Sequence, residues 1–297
     1  MAQTDAPLPQ LGVIGLGHTG SAVATRLLEA GFTVAVFDVS PLRTEPFADK
    51  AVVCDSPAAL AASADVILLR FPSSEAFVQV VEQELLPGLT KGKIVIDLGA
   101  TDVVQTRRLS EWLETREVWF LDAPLSGGAS AAREGRLSIF AGGKKETFKR
   151  CLPLLKVLSP LGNICYCGPA GSGQVVKGVE QLALGLSAAG FLEALAYGAS
   201  FGIAPAELWE ALRRTPLARA GFEQTTRKVL DEGGEAVSVH YGELPYILDA
   251  AARNGQPLPV GQALLAFLKQ APPSVIERGQ HIPSYWLELN RKRQGAG

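Results

Sequence analysis

Leu11-Gly12-Val13-Ile14-Gly15-Leu16-Gly17-His18-Thr19-Gly20 is the stretch on which the fold turns. A short apolar run meets three glycines spaced GxGxxG, and a helical pattern begins at once after Gly20, over Ser21 to Ala30. Each glycine answers a different need: the first permits a tight turn, the second lets backbone approach a ligand, and the third lets helix pack on strand. A phosphate group would then meet the helix N-terminus, where unpaired N–H groups and the macrodipole favour negative charge. The stretch reads as a strand–turn–helix unit made for the pyrophosphate of a dinucleotide. Its candidate contacts are Gly15, Leu16, Gly17, His18, Thr19 and Gly20.

Working outward, the next apolar run ends at Phe37-Asp38-Val39-Ser40. A carboxylate there can accept hydrogen bonds from ribose hydroxyls and repels a 2′-phosphate, so Asp38 favours NAD over NADP. Arg43 lies near enough in sequence to keep NADP as the lesser alternative. Further apolar runs follow at residues 65–69, 93–97, 118–121, 137–141 and 163–167, with helical patterns over 74–86 and 102–114. Continuous apolar runs suit strands covered on both faces. The expected fold class is α/β: a Rossmann domain with a doubly wound, mainly parallel sheet over residues 1–168. At Gly168-Pro169-Ala170-Gly171-Ser172-Gly173 the character changes, and a long helical run begins at Gln174. Residues 169–297 are expected to form an all-α domain entered by this spine helix, for substrate binding and oligomerisation.

Composition narrows the function classes. Hydrophobic residues make up 47% of the 297, charged residues 20%, and the formal net charge is -2, which gives nucleic acid or an anionic membrane no electrostatic hold. The apolar segment Val175 to Gly202 is interrupted by Lys177, Glu180, Gln181 and Glu193, which argues for a helix buried in protein and against a membrane span. The four cysteines lack zinc-site spacing and no disulfide framework is visible, so a reducing cytoplasm is the expected location, with Cys165 and Cys167 as buried or half-buried thiols. The first ten residues lack the pattern of a signal peptide. No metal-ligand cluster, nucleophile elbow or Walker loop is present.

Two features invite a catalytic reading. Lys177 opens an otherwise apolar helix with Gln181 one turn further on. The lysine either extends its ammonium to solvent or serves chemistry in a site. Asp122-Ala123-Pro124-Leu125-Ser126-Gly127-Gly128 follows an apolar run, at the carboxyl end of a strand where open α/β sheets bind ligands. Ser126 and the Gly127 and Gly128 amides can hold a carboxylate, or the segment is a plain glycine turn.

Together these segments resemble the β-hydroxyacid dehydrogenase family, which includes 3-hydroxyisobutyrate dehydrogenase, tartronate semialdehyde reductase and, more distantly, 6-phosphogluconate dehydrogenase. The likeness rests on Gly15–Gly20, on Phe71-Pro72, on Asp122–Gly128 and on Gly171-Ser172-Gly173-Gln174-Val175-Val176-Lys177, in that order. The resemblance implies hydride transfer at an alcohol carbon β to a carboxylate. By that analogy Lys177 is the general acid/base, Ser126, Gly127 and Gly128 hold the substrate carboxylate, and Gln181 contacts lysine and substrate. Phe71, Pro72 and, by looser alignment, Thr101 join the cofactor contacts. The chain departs from the family at Glu180, where an amide is usual, and at Gly242-Glu243-Leu244, where a second lysine usually stands. Glu180 either adds a negative charge near the site, where it can select an amine, a polyol acid or a substrate with a cationic group, or points elsewhere.

Two other readings fit the same residues. Imine reduction on the same scaffold is one, and a non-catalytic dinucleotide-binding or sensing module is the other. His240 and Tyr241 either line the cleft or begin a helix. The hydrophobic spine helix favours pairing into a homodimer or homotetramer through the helical domain.

Overall fold

The computed structural model describes residues 9–217, 221–231 and 243–269. His240, Tyr241 and Gly242 lie outside them. The chain divides into two compact units, Met1–Gly178 and Val179–Gly297. Sequence placed the divide at 168. The contacts place it ten residues later, inside a helix whose first turns are bound into the first unit.

That first unit begins with β1 (Leu11–Ile14), α1 (His18–Glu29), β2 (Val34–Phe37), α2 (Pro41–Thr44), β3 (Val52–Val53), α3 (Pro57–Ser63) and β4 (Val66–Leu69). It continues through α4 (Ser74–Gln79), β5 (Ile94–Asp97), α5 (Val103–Glu114), β6 (Trp119–Asp122), β7 (Leu125–Ser126), α6 (Gly128–Glu134), β8 (Ser138–Gly143), α7 (Lys145–Leu158) and β9 (Asn163–Gly168). The sheet runs β3-β2-β1-β4-β5-β6-β8-β7, with β9 paired to β8. From β3 to β6 every pairing is parallel, in the register Leu11↔Val34, Leu11↔Val66 and Ile94↔Trp119. This 3-2-1-4-5-6 order is that of a dinucleotide-binding sheet, whose chain reverses direction of growth between β1 and β4.

Side chains alternate across these strands. Leu11, Val13, Val34, Val36, Leu68 and Ile96 pack on one face with α1 and α7 residues such as Leu27 and Leu155. Ile14, Ile67, Leu69 and Val95 pack on the other with Leu60, Phe77 and Leu109. Both faces are therefore dry, which is why the strand sequences read as unbroken apolar runs. Three of the helices on the second face start at side-chain caps: Ser56, Ser73 and Asp102 accept from the amides of Ala59, Ala76 and Gln105.

Sequence reading passed over β3 and β7, which have two residues each and so carry no period. Strand β8 runs antiparallel to β6 and β7. The expectation for the cysteines divides: Cys167 is half-buried, whereas Cys165 is exposed. Alternation alone would put the two on one face, but the pairing of β9 with β8 shifts register from Ala141↔Tyr166 to Gly142↔Gly168, which leaves Cys167 as a bulged extra residue.

Helix α8 (Ser172–Ser200) leaves the first unit and forms the spine of the second, joined there by α9 (Pro205–Leu212), α10 (Phe222–Asp231), α11 (Leu244–Arg253) and α12 (Pro259–Lys269). Leu192 and Leu195 of α8 pack with Val229, Leu244, Leu264 and Leu268. Among the described residues this unit contains no strand. α8 is long and apolar enough to cross a membrane by length and composition alone, yet it carries Lys177, Glu180 and Glu193, and its middle builds a protein core.

Candidate functional site

At the carboxyl ends of β1, β2 and β4 a cleft of about 560 Å³ opens, within the size range of small-molecule sites. Gly15, Gly17, His18, Thr19, Gly20, Phe37, Asp38, Arg43, Arg70, Phe71, Pro72 and residues of α4 line it. Most of the expected cofactor contacts thus share one wall. Leu16 does not: its side chain is buried in the core behind the loop.

The glycines answer the physical needs read from sequence. Gly15 has φ +91°, and a Cβ there would collide with the Arg70 carbonyl; one at Gly20 would collide with the Gly15 carbonyl. Gly17, by contrast, has nothing within 4 Å of where its Cβ would be. That open space lies at the start of α1, whose first turn has no acidic residue and no side-chain cap. Its leading N–H groups lack intrahelical partners. The residues present therefore fit the pyrophosphate of a dinucleotide.

Asp38 holds the loop in place. Its carboxylate accepts from the Leu16 amide at 2.7 Å and the Ser40 amide at 2.9 Å, which fixes the glycine loop against the end of β2. Arg43 approaches the same carboxylate at 3.5 Å from an exposed position. An ionised carboxylate has about four lone-pair sites, so the two amides leave room for ribose hydroxyls.

A second, closed cluster lies at the ends of β5 and β6. Asp122, fully buried, accepts from the Gly171 amide at 2.8 Å and the Gln174 amide at 3.0 Å. These two bonds join the Asp122–Gly128 segment to the Gly171–Lys177 segment, 49 and 52 residues away. The buried Gln174 side chain donates to Asp97 at 3.1 Å and to the Gly99 carbonyl at 3.0 Å, and accepts from the Thr101 amide at 3.0 Å. Thr101 therefore sits in this cluster and does not line the cleft above. Burial pushes the Asp97 carboxyl up to about 7. Bonds from Thr101 and Gly99 pull against that rise, the neighbouring Asp122 charge adds to it, and Arg70 opposes it. Burial likewise raises Asp122, against the bonds from Gly171 and Gln174.

Lys177 is half-buried on α8, one helical turn beyond Gln174, and Gln181 follows one turn later on the same helix. Glu180 is also half-buried. Ser126 closes the short strand β7, and Gly127 and Gly128 follow it with φ of +116° and +68°, a backbone path open to glycine. Among the described residues no cluster could hold a metal ion.

Sequence reasoning missed Arg70, Asp97, Asp122 and Gln174 as site residues. Arg70, Asp97 and Asp122 had one visible signal, a charged residue at the end of an apolar run, and Gln174 had another, an amide opening the helical run. Nothing local told which distant backbone it would meet.

Comparison with known proteins bears on the family and the fold. Residues 10–168 match the family described as the NAD binding domain of 6-phosphogluconate dehydrogenase. The chain is 34% identical over 198 residues to mitochondrial 3-hydroxyisobutyrate dehydrogenase of Mus musculus, a match covering 66% of this chain and 58% of that protein's length. It is 28% identical over 258 residues to 2-(hydroxymethyl)glutarate dehydrogenase of Eubacterium barkeri, covering 84% of this chain and 85% of that one. Its fold is that of the Mycobacterium tuberculosis 3-hydroxyisobutyrate dehydrogenase solved with L-serine, at a TM-score of 0.81 and 23% identity over 96% of this chain and 100% of that one. The chain belongs to the β-hydroxyacid dehydrogenase family, and its first half is a Rossmann nucleotide-binding domain of the 6-phosphogluconate dehydrogenase type.

Proposed function

We propose that this protein is an NAD(P)-dependent oxidoreductase acting on a small 3-hydroxy acid, with Lys177 as general acid/base. The observation that carries the reading is the pair of bonds that the Gly171 and Gln174 amides donate to Asp122, which fastens the start of the segment leading to Ser126-Gly127-Gly128 to the first turns of the helix bearing Lys177. The nicotinamide, when bound, supplies or accepts the hydride. In oxidation Lys177 Nζ takes the hydroxyl proton as the carbinol C–H electron pair leaves, and in reduction it returns that proton to the carbonyl oxygen. The Ser126 hydroxyl and the Gly127 and Gly128 amides hold the substrate carboxylate, and Gln181 orients the hydroxyl. Glu180 selects among substrates by favouring a cationic substituent.

The cofactor preference follows from Asp38. Its buried carboxylate stands in the nucleotide cleft, where it repels a 2′-phosphate, so NAD is preferred. The second unit supports self-association into a dimer or tetramer. Leu184 and Tyr197 of α8 and Phe201 just beyond its end are 65%, 69% and 70% exposed, a large apolar surface for a protein that stays single. A monomer at micromolar concentration by light scattering would remove that part.

Nicotinamide absorbance tests the central claim, with NAD and NADP against a panel of 3-hydroxy acids, polyol acids and cyclic imines. Turnover of hydroxy acids, reduced about 10³-fold in Lys177→Ala, is the expected result. Turnover of imines alone would instead assign an imine reductase. Tight NAD binding without turnover, unaffected by Lys177→Ala, would assign a sensing module.

A further inference from the structure

The buried amide of Gln174 takes no part in the mechanism above, yet it makes three hydrogen bonds close to the lysine. It sits three residues before Lys177, 4% exposed, with both amide protons and the carbonyl oxygen engaged. Nε2 gives one proton to Asp97 and one to the Gly99 carbonyl, while Oε1 receives the Thr101 amide. Its own backbone N–H goes to Asp122. We propose that Gln174 is a positioning residue: it clamps the loop following β5 to the first turn of α8 and thereby sets where Lys177 stands.

The physical case rests on what each partner needs. Asp97 is fully buried, and its two oxygens face donors on both sides, the Gly99 amide at 2.8 Å and Gln174 Nε2. Thr101, also buried, gives its amide to Oε1, so the clamp needs an acceptor and a two-proton donor on one planar group. An amide supplies both, a carboxylate supplies only acceptors, and a hydrocarbon supplies neither. Asparagine is one methylene too short to keep the backbone of α8 in place and still reach across. A buried polar network of this kind holds one geometry when complete and loses it when a member is wrong. The reacting hydroxyl must lie within hydrogen-bond reach of Lys177 Nζ, so a shift of about 1 Å in the first turn of α8 lowers rate by about tenfold or more without altering nucleotide affinity.

This inference rests on the reading of Lys177 as the acid/base, and the experiment separates the two. Three quantities are measured on the full chain for wild type, Lys177→Ala, Gln174→Leu and Gln174→Glu: kcat and KM between pH 6 and 9, the NADH dissociation constant by calorimetry, and hydrogen exchange of the peptide 98–103. Gln174→Leu is expected to lower kcat about tenfold or more while NADH affinity stays within about threefold. Exchange of the Thr101 amide is expected to speed up about tenfold, because its acceptor is gone. Gln174→Glu carries the sharper signature. The introduced carboxyl faces Asp97 directly, with Asp122 of β6, Arg70 after β4 and Lys177 on its own helix as the other charges around it. Above neutral pH the two carboxylates repel and kcat is low. As pH falls, one shared proton restores a donor between them, so the ratio of the variant's kcat to that of wild type rises. Gln174→Glu preserves size and, once protonated, restores a donor to Asp97, so its pH trend decides on its own where Gln174→Leu fails to fold. Values of kcat within twofold of wild type at every pH, in variants that also keep wild-type exchange at 98–103, overturn the proposal. If Lys177→Ala retains turnover, the acid/base reading falls first. If Lys177→Ala is dead and both Gln174 variants behave as wild type, this proposal alone is wrong.

Discussion

The two halves of the sheet's carboxyl edge use one device to opposite ends. After β2, the Asp38 carboxylate accepts the amides of Leu16 and Ser40; at the ends of β5 and β6, Asp97 and Asp122 accept the amides of Gly99, Gly171 and Gln174. In each case a buried aspartate fixes the loop beyond its strand. On the β1–β2 side the partners are 22 and 2 residues away, and the glycine loop keeps its helix-terminal N–H groups facing an open cleft. On the β5–β6 side the partners reach as far as 77 residues, and the polar groups bond to one another. The first half is a binding surface and the second is a joint. A joint fails when one member is removed, whereas a binding surface loses ligand long before it loses its fold.

The largest expected effect therefore falls on the joint. Asp122→Ala strands the Gly171 and Gln174 amides in a dry interior, at a cost of about 4 kcal/mol and a fall in Tm of roughly 10 °C. Urea and thermal unfolding measure it; a loss below about 1 kcal/mol would show that the joint does not depend on this carboxylate. On the open side two glycines separate fold from ligand. Gly15→Ala combines a positive φ with a collision against the Arg70 carbonyl, and is expected to cost about 3 kcal/mol. Gly17→Ala meets nothing within 4 Å, so stability should stay within about 0.5 kcal/mol. Its methyl nevertheless occupies the space a pyrophosphate needs, and NADH affinity should fall about tenfold or more. Equal losses of stability at the two positions would break the distinction.

That contrast also explains what sequence could and could not reveal. Strands β1, β2, β4, β5 and β6 were visible because each is covered on both faces and must be apolar throughout. The glycine loop and Asp38 were visible because turn, helix start and carboxylate fall within one local unit, whose spacing is set by backbone geometry. Asp97, Asp122 and Gln174 could be seen as residues but not as a site. Their meaning comes from parallel strand ends that the chain brings together across five and more elements, and no local period encodes such a meeting. Thr101 illustrates this: its position after β5 suggested a cofactor contact, and only the assembled fold shows its amide held by Gln174. Arg70 escaped notice for a related reason, since only the assembled cleft shows it standing beside Gly15 with a buried Nε that has no hydrogen-bond partner.

A smaller effect tests whether the joint responds to pH. Asp97 has its carboxyl raised to about 7 in the folded protein, from an ordinary value of 3.8. The folded state therefore holds a proton that the unfolded chain releases, so this group's contribution to stability falls as pH rises from about 4 to about 7 and is flat above. Asp97→Asn removes the titration. The Tm difference between wild type and this variant should change by a few degrees between pH 5 and pH 8, with wild type losing ground as pH rises. A constant difference across that range would mean that Asp97 titrates at its ordinary value, with its charge fully satisfied by Gly99, Thr101 and Gln174.

The smallest expected effect belongs to the open side, at Arg43. Its guanidinium stands 3.5 Å from Asp38, and its side chain is 56% exposed. A long, solvated pair of this kind contributes little, so Arg43→Ala should leave stability within about 0.5 kcal/mol. Its influence on the nucleotide is of a different kind. Wild type has one cation beside the carboxylate that repels a 2′-phosphate, and removing it leaves that repulsion unopposed. NADP affinity should then weaken about fivefold further while NAD affinity stays within about twofold. Calorimetry with both nucleotides at low and high salt measures this, and the NADP loss should shrink as salt screens the pair. An unchanged NADP constant would place Arg43 outside the reach of the ribose, leaving Asp38 alone to discriminate. A loss of stability approaching that of Asp122→Ala would mean that the open side, too, is a joint.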